Sequence, residues 1–174
     1  MPAPNRETII DGYNIIHKIW RPGSEKASMA ELRDRLESML SAYRKATRRH
    51  VTVVYDGGPG PGPRSSSGAI DVVFSGSDRT ADQRIVELVR ALNSRAGLVT
   101  VVTSDREIRR HVIAWGASCS DSESFISELE ERGLGGRPGA TRRAGKGASR
   151  EKTGSQPLDD AEVERWLKLF GRGS

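Results

Sequence analysis

A chain of 174 residues with 28 Lys+Arg against 23 Asp+Glu, a formal +5, is long enough for one ordinary domain that buries roughly two-thirds of its unfolded surface without staples. Its one cysteine, Cys119, excludes an internal disulfide and every multi-cysteine zinc site, and His17, His50 and His111 lack the short spacing of a zinc helix or knuckle. No apolar run reaches the roughly 18 residues of a membrane span and MPAPNRETIIDG lacks a basic stretch followed by an apolar one, so the expectation is a soluble, cytoplasmic protein with no membrane partner.

The first expected element is a buried strand, Thr8 to Asp11, whose apolar run ends in an acid and a glycine. Ser28 with Glu31 makes a capping box, and Met29, Leu32, Leu36, Met39, Leu40 and Tyr43 recur at helical spacing, which predicts a helix from Met29 to Thr47. Val51 to Asp56 reads as the second strand, and the GGPGPGP after it continues neither helix nor strand. Ala69 to Ser75 reads as the third strand. Thr80 with Gln83 forms a second capping box ahead of Ile85, Leu88, Val89 and Leu92, a helix reaching about Ser94. Leu98 to Asp105 is the fourth strand, and a helix carrying Ile108, Val112 and Trp115 follows, ended by Gly116. A short ASCS strand and a helix with Phe125, Ile126 and Leu129 complete the body, which Gly133 closes.

Strands separated by helices of this length predict a doubly wound α/β fold: a mainly parallel sheet of four to five strands with helices on both faces. The body spans 1–133. Between Arg132 and Pro157 seven basic residues (Arg132, Arg137, Arg142, Arg143, Lys146, Arg150, Lys152) face one acid, Glu151, so a local +6 leaves the rest of the chain at −1. That stretch is rich in Gly and Ser and poor in large apolar residues, so 134–157 is expected to be a flexible basic linker. Residues 158–171 return to a helical pattern, with Val163, Trp166, Leu167 and Phe170 on one side.

Open α/β sheets bind ligands beyond the carboxyl ends of their strands, and this chain places acids there repeatedly. Asp11 ends the first strand, Asp56 the second and Asp105 the fourth, while Asp82 lies in the first turn of the helix after the third. One such Asp is ordinarily a turn residue or a helix cap. Four at one edge repel one another and raise each other's pKa unless a divalent cation neutralises them, and hard oxygen ligands suit Mg²⁺ or Mn²⁺. Such a site performs Lewis-acid chemistry on phosphate oxygens. GxSxG and GxGxxG are absent, and Gly145-Lys146 precedes Gly147 where a P-loop needs Ser or Thr.

IIDGYNII (Ile9 to Ile16), VVYDGG (Val53 to Gly58), TADQRI (Thr80 to Ile85) and VVTSDREIR (Val101 to Arg109) resemble the successive motifs of the NYN domain, a branch of the PIN-like ribonucleases. The chain looks closest to the bacterial YacP-like group, which includes ribosome-associated mRNA endonucleases, and the likeness covers Thr8 to Leu129. The resemblance implies catalytic roles for Asp11, Asn14, Asp82 and Asp105, with Asp11, Asp56, Asp82 and Asp105 as the metal set. Asn14 would orient substrate or a bound water, and Asp56 has a turn role as well. Substrate contacts would come from Tyr13, Thr80, Ser104 and Arg106, and from Arg137, Arg142 and Arg143 of the linker. Asp78 is read as a linker acid, the alternative being an outer-shell ligand.

Other residues have plainer readings. Tyr13 either stacks on an unpaired base or packs beside the strand end. Trp20 and Trp115 are expected in the core, His111 on a solvated face, and Cys119 in a structural role. The expectation is a Mg²⁺- or Mn²⁺-dependent endoribonuclease cutting single-stranded RNA, including mRNA on the ribosome. Of the basic residues six are Lys and twenty-two Arg, whose forks suit phosphate. The rival is an inactive RNA- or ribosome-binding module of the same fold. A phosphatase lacks the DxDx[TV] nucleophile motif it would need.

Overall fold

The computed structural model describes residues 6–21, 26–58, 63–66 and 69–135. The expected helix 158–171 and nearly all of the expected linker, with Arg137, Arg142 and Arg143, lie outside these residues. Six strands form one sheet: β1 (Glu7–Asp11), β2 (His50–Tyr55), β3 (Pro63–Ser66), β4 (Ile70–Phe74), β5 (Val99–Val102) and β6 (Ser118–Ser120), in the order β3-β4-β2-β1-β5-β6. Five run parallel and β3 lies antiparallel along β4 at one edge. The helices are α1 (Gly12–Trp20), α2 (Met29–Thr47), α3 (Ala81–Leu92), α4 (Arg106–Ala114) and α5 (Ser122–Glu131).

Alternation along the strands builds a core on each face. Ile10, Val53, Val72 and Val102 pack with α1, α2 and α5 on one side, where Leu36, Leu40, Tyr43, Phe125 and Leu129 are buried. Ile9, Val54, Val73 and Val101 pack on the other side with Ile85 and Val89 of α3 and Ile108 and Val112 of α4. Each such side chain contributes about 1.5–3 kcal/mol relative to exposure, so a one-residue slip of β1 would exchange the two cores and is strongly disfavoured. The Ser28 capping box closes at both ends: its hydroxyl accepts from the Glu31 amide at 3.3 Å and its own amide donates to Glu31 Oε2 at 2.6 Å.

The structure departs from the sequence expectations at four places. Helix α1 is not among the expected elements; it follows β1 with no intervening loop, with Asp11 as its cap, and buries Ile15, Ile16, Ile19 and Trp20. The Gly/Pro-rich loop contains strand β3, and Pro63 is tolerated because it opens an edge strand. That edge strand makes the sheet six-stranded rather than four- or five-stranded. Trp115 is 47% exposed instead of core, because it lies past Val112, the last buried residue of α4, and its ring meets the Arg90 guanidinium at 5.3 Å. Trp20 is buried, as expected.

Candidate active site

The strand order places the site. β1 lies between β2 and β5, and the chain winds outward from β1 in opposite directions, so the carboxyl ends of these three strands flank a topological switch point. Register sets the height of the acids: Asp11 pairs level with Val54 of β2, and Ile10 with Val102 of β5. Asp56 therefore stands just beyond β2 and Asp105 just beyond β5, on either side of Asp11.

Helix starts fix the carboxylates. Asp11 caps α1, with Oδ1 accepting from the Asn14 amide at 3.2 Å. Asp105 caps α4, with Oδ1 accepting from the amides of Glu107 (2.7 Å) and Ile108 (3.2 Å). Asp56 Oδ1 accepts from the Ser75 hydroxyl at 2.9 Å and from the Ala81 amide at 3.1 Å, which joins β2 to the end of β4 and the start of α3. Asp82, in the first turn of α3, is exposed. In Asp11, Asp56 and Asp105 every one of these bonds falls on Oδ1, leaving Oδ2 for another partner.

Asp11 and Asp82 feel the other acids of this edge. Burial pushes the Asp11 carboxyl up to about 6; the Asn14 amide opposes the shift, and the charges of Asp82, Asp105 and Asp56 add to it. Asp82 is also raised, by partial burial first and then by Asp105, Asp56 and Glu107. Glu107, in the first turn of α4, is thus a fifth acid of this edge, and a first-turn acid carries no sequence signal beyond its favourable place at a helix start.

The acids do not form a closed cage. Among the described residues no three His, Cys, Asp or Glu side chains stand close enough to enclose a metal ion by themselves. Asp11, Asp56, Asp82 and Asp105 share one edge and one electrostatic field without touching a common point. Hard oxygens, free Oδ2 atoms and mutual repulsion fit a cation that keeps much of its water and takes one or two carboxylates, as Mg²⁺ does.

Asn14 is held by a partner that the motif does not reveal. Its amide oxygen accepts from the hydroxyl of Ser122, a fully buried residue, at 2.6 Å. The Ser122 amide donates to Ser104 Oγ at 3.3 Å, Ser104 Oγ donates to Glu123 Oε2 at 3.1 Å, and Glu123 is paired with Lys18 of α1. Ser104 therefore works in a polar bridge between β5, α1 and α5. The signal for Ser122 is weak, since it sits inside a cap pattern, Asp121 to Ser124, that explains itself locally.

Thr80 is the cap of α3, its hydroxyl accepting from the Gln83 amide at 3.3 Å, and Arg106 is exposed beside Asp105. Tyr13 is half-buried and packs: its ring lies 5.2 Å from that of Tyr55, and its hydroxyl accepts from Arg33 at 3.4 Å. A cleft of about 660 Å³ opens between α3 and α4, lined by Asp78, Thr80, Asp82, Glu107 and His111 among others. Of the four motif acids only Asp82 lines it. Asp78 and His111, read as a linker acid and a solvated residue, are both exposed and both face this cleft.

Comparison with known proteins gives the family. Residues 8–171 match the family model described as the YacP-like NYN domain. The "Uncharacterized protein YacP" of Bacillus subtilis (strain 168) is 30% identical over 170 residues, covering 95% of this chain and 96% of that protein. The crystal structure of a point mutant of Rae1 (YacP) from Bacillus subtilis aligns with a TM-score of 0.62 at 28% identity over 72% of this chain and 76% of that one. A second crystal structure of Rae1 (YacP) from Bacillus subtilis aligns with a TM-score of 0.60 at 24% identity over 93% and 82%, a likeness of fold. Fold, motif order and family match converge: the chain belongs to the YacP-like NYN domain family, a PIN-like nuclease fold.

Proposed function

We propose that this protein is a Mg²⁺- or Mn²⁺-dependent endoribonuclease that hydrolyses single-stranded RNA in the cytoplasm, with mRNA on the ribosome as the natural target. The observation that carries this reading is the partly buried Asp11, pushed up to about 6 beside three further carboxylates at the switch point of the sheet. Such a charge arrangement is costly alone and favourable around a cation.

A bound Mg²⁺ or Mn²⁺ supplies Lewis acidity toward a phosphate oxygen and makes a bound water a stronger nucleophile. Asp11, Asp82 and Asp105 would hold it, one or two of them through a free carboxylate oxygen and the rest through its retained water. Asp56, tied to Ser75 and Ala81, keeps the start of α3 against β2 and so fixes Asp82. Asn14, with its oxygen occupied by Ser122, keeps its amide NH₂ to donate to a phosphate or a water. Arg106 lies one residue from Asp105 and balances phosphate charge at the rim. Arg137, Arg142 and Arg143 extend the contact along the RNA; changing them with Lys146 and Arg150 to Ser should weaken RNA binding and flatten its salt dependence without affecting metal binding.

The deciding experiment incubates the purified chain with labelled single-stranded RNA, alone and on translating ribosomes, with and without Mn²⁺ or Mg²⁺. Metal-dependent internal cuts leaving a 5′ phosphate support the reading. The open spacing of the acids favours one alternative, an RNA- or ribosome-binding module without activity. Binding without cuts in every arm would establish that alternative.

A further inference from the structure

The edge opposite the acids is basic. Arg44 and Lys45 lie in the last turn of α2, Arg48 and Arg49 follow it, and His50 opens β2; together they line a concavity of about 300 Å³. A second concavity of about 270 Å³ shares His50 and adds Arg95 together with the acid Glu7, whose Oε1 accepts from the Thr52 hydroxyl at 3.0 Å. The charge of His50 is matched, since Nε2 lies 2.8 Å from Asp71 Oδ2. Among the described residues Arg44, Lys45, Arg48 and Arg49 make no ion pair.

Helix energetics account for only part of this cluster. Cations in a last turn complement the helix dipole by about 0.3–1 kcal/mol each, which covers Arg44 and Lys45. Arg48 is different. It caps α2 in the left-handed region at φ 56°, where Gly or Asn is the usual occupant and a longer side chain costs about 1 kcal/mol. Arg49 adds a like charge next to it. Four unmatched cations around one hollow repel one another and gain from a polyanion.

The chemistry of the hollow narrows the ligand. Neither concavity is lined by Phe, Tyr or Trp, whereas surfaces that take single strands use aromatic rings to stack bases. Fixed cations without stacking partners suit the phosphate ridge of a duplex, which is read through its backbone and shape. The hollow also lies a full strand away from the acids: β2 runs from His50 to Tyr55, roughly 17 Å at ~3.3 Å per residue. Phosphates next to a scissile bond at the acidic edge do not reach it.

We propose that Arg44, Lys45, Arg48 and Arg49 form an anchor for the phosphate backbone of a double-stranded RNA segment, separate from the strand presented to the acids. The choice of RNA among polyanions rests on the nuclease reading above; the charge and the absent stacking rings do not. The molecule would then hold a folded RNA by one edge and work on a single strand with the other.

The test is binding in EDTA, so that no cleavage enters. The full chain and its Arg44→Gln, Lys45→Gln, Arg48→Asn, Arg49→Gln variant are titrated with a fluorescent RNA duplex of about 16 base pairs and with a single-stranded hexanucleotide. Gln keeps helix propensity and Asn accepts the left-handed position. Duplex affinity should fall at least about tenfold near 50 mM salt, with the log–log salt slope shallower by about 3, while hexanucleotide affinity stays the same. Arg48→Asn with Arg49→Gln, which leaves α2 intact, should lose about half of that slope. Unchanged duplex affinity and slope in both variants would overturn the anchor, as would equal losses for duplex and hexanucleotide. So would a duplex that polyglutamate displaces as readily as competing RNA does. A parent chain that binds the duplex through these residues yet never cuts RNA leaves the anchor standing and removes the nuclease reading.

Discussion

The hydroxyl of the buried Ser122 donates to the amide oxygen of the partly buried Asn14 at 2.6 Å, joining residues from opposite ends of the folded body. This bond fixes which end of the Asn14 amide faces the acidic edge. Ser122→Ala should cost about 1 kcal/mol of stability, the ordinary value of one hydrogen bond. RNA cleavage should drop on the order of tenfold, because an unpinned donor loses its orientation. Single-turnover cleavage and Mn²⁺ titration of the same variant check this: a loss of rate with metal affinity retained is expected, and a parallel loss of metal affinity would assign Ser122 to the cation site instead.

Asp82→Asn should abolish cleavage at saturating Mn²⁺ and leave the fold intact, since Asp82 is exposed and its removal relieves repulsion from Asp105, Asp56 and Glu107. Its thermal midpoint in metal-free buffer should be equal to or higher than the parent's. Wild-type turnover in this variant would reduce Asp82 to a residue of the helix N-terminus.

The pH dependence follows from Asp11. Its folded carboxyl titrates near 6, against an ordinary 3.8, so between those values the folded chain holds a proton that the unfolded chain has lost. Metal-free stability should therefore gain a contribution as pH falls through 6 toward 4 and lose it as pH rises through 6. Asp11→Asn should remove that contribution and be more stable at pH 7 by about 1–3 kcal/mol. Urea melts in EDTA at both ends of the window measure it. Mn²⁺ should stabilise the parent more at pH 7 than at pH 5, because protons compete for the same oxygens.

Gly12 is required by its neighbour. A Cβ at that position would stand 2.6 Å from Tyr55 Cδ1 and 2.9 Å from Val53 Cγ2, inside a packed core. Gly12→Ala should destabilise the protein by about 1–3 kcal/mol and displace the adjacent Asp11. A thermal melt paired with a cleavage assay checks both effects. Tyr55→Leu in the same chain should restore part of the stability.

Much of this was readable from the sequence, for identifiable reasons. Helix α2 matches its expected bounds because Ser28 and Glu31 mark its start and five buried residues recur at helical spacing. The four acids were legible because strand ends and caps are local signals. Helix α1 was not, since its apolar face continues the run of β1 and only the Asp11 cap divides them. Strand β3 was hidden by Pro and Gly, whose signals describe a loop unless the partner strand is known. The Ser122–Asn14 bond and the basic hollow depend on contacts distant in sequence, which no window of residues contains.

The pairing of β1 with β5 has a bearing on how this protein is made. Asp11 emerges early in synthesis, but its neighbour Asp105 follows β5 and reaches the site only once β5 has been translated and has closed against β1. Such long-range strand pairing forms late and carries the loop-closure cost of the whole intervening chain. The acidic edge is thus incomplete in a nascent chain until β5 and the start of α4 have been made.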